Sequence, residues 1–200
     1  MRPNVLIGGL LALHATTSFA EADLWADNFG YADGKWEPEH KPLVLADVNA
    51  DQRVDIVSFG DAGVYVSLST GGGFDSPTLW LADFGYEAGD WRVDKHLRVV
   101  ADVNADDRAD VVGFGTSGVY VSLSTGSKFA PAELWLQNFA YEAGNWRVQR
   151  HPRYLADVNA DGRADVVGFG KAGIYVALST GTGFSPAKLW VDLKDNDGDD

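Results

Sequence analysis

The chain has 200 residues and a net charge of −13, which argues against nucleic acid as a partner because its phosphates would be repelled. It contains no cysteine, so a hydrophobic core or a bound metal must stabilise the fold in place of disulfides. Seven Trp, seven Tyr and ten Phe supply material for a core, and 23 Gly indicate frequent turns.

Residues 1–20 have the pattern of a secretion signal. Arg2 supplies the positive start, residues 5–13 are apolar, and residues 18–20 form a small-x-small cleavage site. The apolar stretch is too short to span a bilayer, and no later one approaches the ~20 residues required. We therefore expect a secreted, extracellular protein without a membrane span; a buried N-terminal strand is the alternative interpretation.

A sequence unit of 55 residues recurs three times. Residues 46–51 return as residues 101–106 and again as residues 156–161, and alignment of 96–135 with 151–190 leaves 28 of 40 positions identical. Repeats of this length are typical of solenoids and propellers, in which each unit buries its faces against its neighbours. Any function should therefore be repeated along the chain.

The third repeat predicts four short strands, over residues 153–158, 164–170, 174–179 and 187–191, with turn residues between them and no helical period. This pattern indicates an all-β fold of β-propeller blades, each with four antiparallel strands. The predicted domain organisation is a signal peptide (1–20), a repeat domain (21–191) with blades at about 41–95, 96–150 and 151–191, and an acidic tail (192–200).

Residues 22–31 match the end of a fourth strand whose three partners are missing, so the chain encodes one orphan strand and three full blades. Closed propellers typically have four to eight blades. The ring is therefore incomplete, and we expect self-association of two chains to complete it. The alternative is that the sequence is a fragment of a longer protein.

Each repeat contains the pattern D-x-N-x-D-x-x-x-D between its first two strands. Alternating oxygen side chains on a tight turn predict a Ca²⁺ site, because Ca²⁺ takes six to eight oxygen ligands with irregular geometry. The alternative is that the Asp and Asn side chains cap the turn backbone without a metal. The predicted ligands are Asp47, Asn49, Asp51 and Asp55; Asp102, Asn104, Asp106 and Asp110; and Asp157, Asn159, Asp161 and Asp165.

The segments that join the blades, 83–98 and 138–153, are rich in aromatic and basic residues. Aromatic faces stack on the apolar side of a sugar, and Arg, His and Asn or Asp bond to its hydroxyl and carbonyl groups. The alternative is that the aromatic residues pack between blades, which we favour for Phe84 and Phe139. Binding and packing remain equally open for the Trp-Arg-x-x-x-His-x-Arg portion.

Three motifs carry a resemblance to a known family: Val-Val-Gly-Phe-Gly-x-x-Gly-Val-Tyr-Val at 111–121, Asn-Phe-x-Tyr-x-Ala-Gly-x-Trp-Arg at 138–147, and His-x-Arg at 96–98 and 151–153. They resemble fungal lectins of the Psathyrella velutina type and, more distantly, the FG-GAP (VCBS-type) repeats of integrin α-subunit propellers. The resemblance implies a seven-bladed propeller that binds N-acetylglucosamine or sialylated glycans between consecutive blades, with calcium in some loops.

The resemblance also implies two sets of carbohydrate-binding residues. The segment before the first blade departs from the pattern, because Glu37, Lys41 and Leu43 stand where Arg, His and Arg are expected, so a pocket there should be weak or absent. The two implied sets are Asp83, Tyr86, Trp91, Arg92, His96 and Arg98, and Asn138, Tyr141, Trp146, Arg147, His151 and Arg153.

The sequence favours a secreted, calcium-stabilised lectin over two other functions. An adhesion or protein-binding module of the integrin type would use a blade surface and not the pockets. An enzyme is disfavoured because the chain has neither a G-x-S-x-G elbow nor a cysteine nucleophile. His96 and His151 also occupy equivalent repeat positions, whereas a single active site is seldom duplicated.

Overall fold

A computed structural model describes residues 41–192 of the chain. This part contains twelve strands and no helix, in three antiparallel sheets of four strands each. The all-β prediction and the predicted blades are therefore confirmed. The predicted signal at 1–20, the orphan strand at 22–31 and residues 193–200 of the tail lie outside the described residues.

Each sheet is one blade, and its strands are hydrogen-bonded in chain order. Blade 1 has β1 (Leu43–Ala46), β2 (Asp55–Phe59), β3 (Val64–Ser67) and β4 (Thr78–Leu81). Blade 2 has β5 (Leu97–Ala101), β6 (Asp110–Phe114), β7 (Val119–Ser122) and β8 (Glu133–Leu136). Blade 3 has β9 (Arg153–Ala156), β10 (Asp165–Gly170), β11 (Gly173–Ala177) and β12 (Lys188–Asp192). The strand ends in blade 3 lie within two residues of those predicted from the sequence.

The hydrophobic core lies between adjacent blades. Val48 and Phe59 of blade 1 belong to the same buried cluster as Val111 and Phe129 of blade 2. A second cluster joins blade 2 to blade 3 in the same way. Because one sheet alone offers only part of each cluster, every blade depends on its neighbour for stability.

Backbone and hydroxyl groups also join the blades at equivalent places. Ser124 donates its hydroxyl to the carbonyl of Val48 at 2.5 Å, and Ser179 donates to the carbonyl of Val103 at 2.6 Å. The N–H of Ala109 donates to the carbonyl of Asp47 at 2.8 Å. The repeat therefore fixes the register of one blade against the next, as well as the fold of each blade.

The outer faces of blades 1 and 3 lack the cover that the inner faces have within the described residues. Val48 and Val103 are fully buried, but the equivalent Val158 of blade 3 is 38% exposed. Leu45 at the opposite end of the array is 65% exposed. Within residues 41–192 the structure contains no helix of the length and hydrophobicity that a bilayer requires.

Candidate functional site

The connector from β4 to β5 is held in shape by hydrogen bonds to one of its own side chains. Asp83 Oδ1 accepts the backbone N–H of Phe84 at 2.6 Å and the indole N–H of Trp91 at 3.3 Å. Gly89 (φ +97°) and Asp90 (φ +59°) take the left-handed backbone that the turn between them requires. Gly adopts it without strain and Asp tolerates it. These bonds and this turn fix where the indole lies.

Trp91 is buried and packs into the core between the blades. Its ring lies 4.7 Å from that of Phe84, measured between centroids. A Cβ added to Gly113 of β6 would come within 2.3 Å of the indole, so the next blade needs glycine at this position. The same arrangement recurs for Trp146, Phe139 and Gly168.

His96 completes one side of the connector. Its Nδ1 accepts the backbone N–H of Arg92 at 3.2 Å, and its Nε2 lies 3.0 Å from the hydroxyl of Thr116. Because Nδ1 is an acceptor, the neutral imidazole carries its proton on Nε2 and donates it to Thr116. Burial, assisted by the charges of Arg98 and Lys95, lowers the pKa of His96 and keeps it neutral.

The structure shows one open pocket beside each of these tryptophans. The Trp91 pocket between blades 1 and 2 has a volume of about 290 Å³. The Trp146 pocket between blades 2 and 3 has about 510 Å³. The Trp91 pocket is lined by Asp83, Gly89, Asp90, Trp91, His96, Gly115, Thr116, Tyr120 and Ala132. The Trp146 pocket is lined by Asn138, Gly144, Asn145, Trp146, Arg150, His151, Gly170, Lys171 and Tyr175.

Half of the residues predicted for sugar binding line these pockets and half do not. Asp83, Trp91 and His96 line one pocket, and their equivalents Asn138, Trp146 and His151 line the other. The remaining residues of the two predicted sets, which do not line either pocket, are Tyr86, Arg92 and Arg98, and Tyr141, Arg147 and Arg153.

The residues outside the pockets make protein contacts of their own. The guanidinium of Arg92 stacks on the ring of Tyr86 at 3.6 Å, and Arg147 stacks on Tyr141 at 3.8 Å. Arg98 is 3% exposed and donates to the carbonyl of Phe84 at 2.8 Å. Burial lowers the pKa of Arg98 to about 10. Arg153 has the same environment beneath the connector of blade 2.

The sequence interpretation missed the wall that the following blade supplies. Gly115 and Thr116 come from the turn between β6 and β7 and Tyr120 comes from β7, and all three line the pocket beside the connector of the preceding blade. Gly170, Lys171 and Tyr175 are their equivalents. The repeated Gly-x-x-Gly-x-Tyr pattern was the available signal, but it marked a turn and did not show which connector the turn meets.

Blade 1 differs from the other blades where it would face a preceding connector. Lys41 stands at the position of His96, and Asp61 stands at the position of Thr116; the two form an ion pair at 2.9 Å. Ser58 replaces the glycine that lies under the indole in blades 2 and 3. An ion pair thus takes the place of the histidine contact in blade 1. The rest of that connector lies outside the described residues.

The acidic loops fold around their own carboxylates. In the middle loop Asp102 accepts four backbone N–H groups, from residues 104–107. Asp106 accepts the side-chain amide of Asn104 and is ion-paired with Arg108. Arg108 also donates its Nε–H to the carbonyl of Ser124 at 3.0 Å. The loops of blades 1 and 3 have the same arginine bridge.

The last aspartate of each pattern is buried. Asp110 accepts the N–H groups of Val103 and Ser124 at 3.1 and 2.8 Å, which ties the loop to the third strand of the blade. Burial raises the pKa of Asp110 to about 7. Burial also raises the pKa of the equivalent Asp55 and Asp165.

The predicted calcium ligands of the middle loop are hydrogen-bonded to the protein itself. Each predicted ligand oxygen of the middle loop already accepts a protein N–H, and Asn104 Oδ1 accepts that of Asp106 at 3.2 Å. In residues 41–192 no group of three or more His, Cys, Asp or Glu side chains is placed to hold a metal. The hydrogen bonds are those of the Asx-turn alternative. Calcium binding remains a prediction from the sequence alone.

Comparison with solved structures finds a similar protein of known specificity. A lectin of Agrocybe aegerita, described as recognising non-reducing terminal N-acetylglucosamine, is 43% identical with a TM-score of 0.81. The match covers 89% of this chain and 45% of the lectin, so the chain spans less than half of that protein's length. No protein-family model and no curated protein matches the chain.

Two toxin structures share the fold at lower identity. The Photorhabdus luminescens Tc holotoxin pore is 20% identical with a TM-score of 0.53, over 74% of this chain and 7% of that one. The TcdB2–TccC3 complex is 16% identical with a TM-score of 0.57, over 75% of this chain and 7% of that one. At these identities the comparisons show a common blade architecture and nothing of function.

Proposed function

We propose that the chain is a carbohydrate-binding protein, a lectin without enzymatic activity, that holds N-acetylglucosamine-type sugars in the Trp91 and Trp146 pockets. One observation carries the proposal: the repeat builds the same aromatic and polar pocket twice, at the boundary between consecutive blades. The Agrocybe lectin supports it, since it has the same blade architecture at 43% identity.

The chemistry of the pockets suits a neutral pyranose. In the Trp146 pocket, Trp146 and Tyr175 supply aromatic surface for the apolar side of a sugar ring or an acetamido methyl. Asn138, Asn145 and His151 supply the donors and acceptors that hydroxyl and carbonyl groups need. The pocket volumes approach or fall within the ~300–1,000 Å³ usual for small-ligand sites.

The test fills the pockets without touching the buried tryptophans. Thr116→Trp and Lys171→Trp place a large side chain on the β-turn wall of each pocket, where the native side chains are not buried. The double variant should lose N-acetylglucosamine binding in a calorimetric titration while its thermal midpoint is retained. Its control is Ser117→Trp/Ala172→Trp, which adds the same side chain one residue further along, at positions that do not line the pockets. Unchanged binding by the filled variant would overturn the proposal.

Self-association is part of the proposal, because two apolar faces lack cover within the described residues. Val158 of blade 3 occupies the position at which Val48 and Val103 are buried by a following blade. The exposed Leu45 and Val54 of blade 1 lie on the face that follows a preceding blade in the repeat. A second copy would place its blade 1 on blade 3 through the contacts that already join blades 1, 2 and 3.

Light scattering at micromolar concentration should give the mass of a dimer, and Val158→Asp should shift it to that of one chain. A wild-type protein that remains monomeric would contradict self-association, but it would not bear on the proposal of sugar binding in the pockets.

Secretion is proposed on the sequence of residues 1–20, which lie outside the described residues. Expression with and without these residues tests it. The full sequence should appear in the medium or periplasm without residues 1–20, and the shortened chain should stay in the cell. Retention of the full sequence with an intact N-terminus would contradict secretion.

A further inference from the structure

The two pockets share one frame, which consists of the bond to the indole N–H and the turn of positive φ, but they have opposite charge. Asp83 and Asp90 line the Trp91 pocket, which contains no Lys or Arg among its lining residues. Their equivalents in the Trp146 pocket are Asn138 and Asn145, and Arg150 and Lys171 line it as well. Asp90 is ion-paired with Arg92, so Asp83 is the one lining carboxylate of the Trp91 pocket without an ion pair within residues 41–192, whereas the Trp146 pocket is lined by two cations.

The frame does not require the negative charge of the Trp91 pocket. Oδ1 of Asp83 and Oδ1 of Asn138 both accept an indole N–H, each at 3.3 Å, and both accept the next backbone N–H. Asp90 and Asn145 both have a φ of +59°. Asn therefore makes the same bonds as Asp at the first position and takes the same backbone conformation at the second, although Asp90 also forms an ion pair with Arg92. The charge of Asp83 has no role in holding the turn.

The cations of the Trp146 pocket are likewise free of structural partners. Arg150 and Lys171 are exposed, and neither forms an ion pair within residues 41–192. Lys95, which is equivalent to Arg150, lies 5.7 Å from the ring of Tyr141 and does not line its own pocket. Arg150 therefore adds a cation to the Trp146 pocket, whereas the equivalent Lys95 does not add one to the Trp91 pocket.

The histidines differ for the same reason. Thr116 can accept the proton on Nε2 of His96, whereas the ammonium of Lys171 has no lone pair to accept that of His151. Nδ1 of His151 accepts the N–H of Arg147 at 3.0 Å, so its Nε2 carries the proton and makes no hydrogen bond to the described residues. The Trp146 pocket therefore presents an additional donor beside its two cations.

We propose that the two pockets select sugars by charge, a conclusion that rests on the proposed lectin function. The Trp146 pocket prefers N-acetylated sugars that carry an anionic substituent, and the Trp91 pocket disfavours them. The cations attract an anion, and the carboxylate of Asp83 repels it. Because all of these groups touch solvent, the effect should be modest and sensitive to salt.

The experiment uses single-pocket proteins. Lys171→Trp leaves only the Trp91 pocket open, and Thr116→Trp leaves only the Trp146 pocket open. Each is titrated with N-acetylglucosamine, with N-acetylglucosamine 6-sulfate and with N-acetylmuramic acid, whose carboxylate lies at a different ring position. Two anionic probes are used so that a steric clash at one ring position does not hide the effect of charge.

The Thr116→Trp protein should bind at least one anionic probe about fivefold more tightly than the neutral sugar. The Lys171→Trp protein should bind both anionic probes about fivefold more weakly. The ratio of the affinities for anionic and neutral sugars should approach one in both proteins in 0.5 M salt, where the screening length is about 4 Å. Equal charge preference in the two proteins would overturn this inference, whereas absence of neutral-sugar binding in both would instead overturn the lectin proposal.

Matched charge changes identify the residues responsible. In the Thr116→Trp protein, Arg150→Gln/Lys171→Gln should abolish the preference for anions, measured as the ratio of the affinities for the anionic and the neutral sugar. In the Lys171→Trp protein, Asp83→Asn should abolish the discrimination, because Asn preserves the indole bond in the other pocket. Persistence of either preference after these changes would show that the lining charges do not cause it.

Discussion

The acidic loops and the connector pockets repeat with the same period, but they differ in whether the protein satisfies their polar groups. In the middle loop every oxygen of Asp102 and Asp110 accepts a protein N–H, and Arg108 neutralises Asp106. In the Trp146 pocket, by contrast, the proton on Nε2 of His151 has no acceptor among the described residues. Polar groups that the fold already satisfies hold structure, and those it leaves open are available to a ligand. The internal hydrogen bonds of the loops therefore support a structural role for them, and the open donor of the pocket supports the binding site proposed there.

The largest expected effect comes from removing a tryptophan that both forms the pocket and belongs to the core. Trp146 is buried and contacts Phe139, so Trp146→Ala should lower the free energy of unfolding by about 3–5 kcal/mol. The sequence left packing and binding equally open for this residue, and its burial shows that it packs. Urea unfolding measures the change, and Trp146→Phe should recover much of it. A loss below about 1 kcal/mol would contradict the packing role.

The next effect tests the close approach beneath the indole. A Cβ on Gly168 would lie 2.7 Å from the indole of Trp146 and 2.5 Å from the ring of Phe139. Gly168→Ala should therefore cost about 1–3 kcal/mol and displace the tryptophan from the pocket. The control is Gly72→Ala, where an added Cβ meets no atom within 4 Å. Thermal unfolding and sugar titration are carried out on both variants. Equal thermal midpoints and equal sugar affinities for the two would contradict the close approach beneath the indole.

A smaller effect tests the arginine that closes each acidic loop. Arg108→Ala removes the bonds to Asp106 and Ser124 and should cost about 1 kcal/mol. The equivalent change at Arg53, whose side chain is more exposed, should cost less. Both are measured by thermal unfolding.

The same measurement with calcium or a chelator decides between two explanations of the loops. The sequence-based calcium prediction expects a higher thermal midpoint with calcium, by mass action on the folded state. If the loop is held by its own bonds, calcium should not change the wild-type midpoint, because Arg108 already pairs with Asp106, and Asp102 and Asp110 accept backbone N–H groups. A calcium-dependent wild-type midpoint would show that the loops rearrange to release their carboxylates.

The smallest effect concerns the neutral histidine. Because burial lowers the pKa of His96, the unfolded chain binds a proton below about pH 6.5 that the folded chain does not. The contribution of His96 to stability is therefore complete above that pH and declines as the pH falls towards the folded pKa. The free energy of unfolding is measured against pH for the wild type and for His96→Gln. The difference between the two curves separates the contribution of His96 from that of the buried aspartates. A pH dependence identical in the two proteins would contradict the assignment.

The repeat made the blades predictable from the sequence. Four strands per unit follow from β-branched and aromatic runs between turn residues, and in blade 3 their ends were placed within two residues. The tryptophans and histidines of the pockets were also identified, because their residue types carry the chemistry. These properties are local, so a sequence pattern is sufficient to find them.

Contacts between blades were not predictable in the same way. Thr116 and Tyr120 reach the Trp91 pocket from a different blade, and no spacing along the chain shows that they meet Asp83. Arg98 was expected beside the sugar but lies buried beneath the connector, because its place in β5 turns its side chain towards Phe59. The alternation of a strand predicts two faces, but not which neighbour each face meets.

Binding stoichiometry with N-acetylglucosamine tests the central claim most directly. Calorimetric titration of the folded wild-type chain should saturate at two sugars per chain, because residues 41–192 form two such pockets between blades. Thr116→Trp and Lys171→Trp should each saturate at one sugar per chain. A wild-type chain that binds no sugar, or single variants that still bind two, would contradict the assignment of the pockets between the blades.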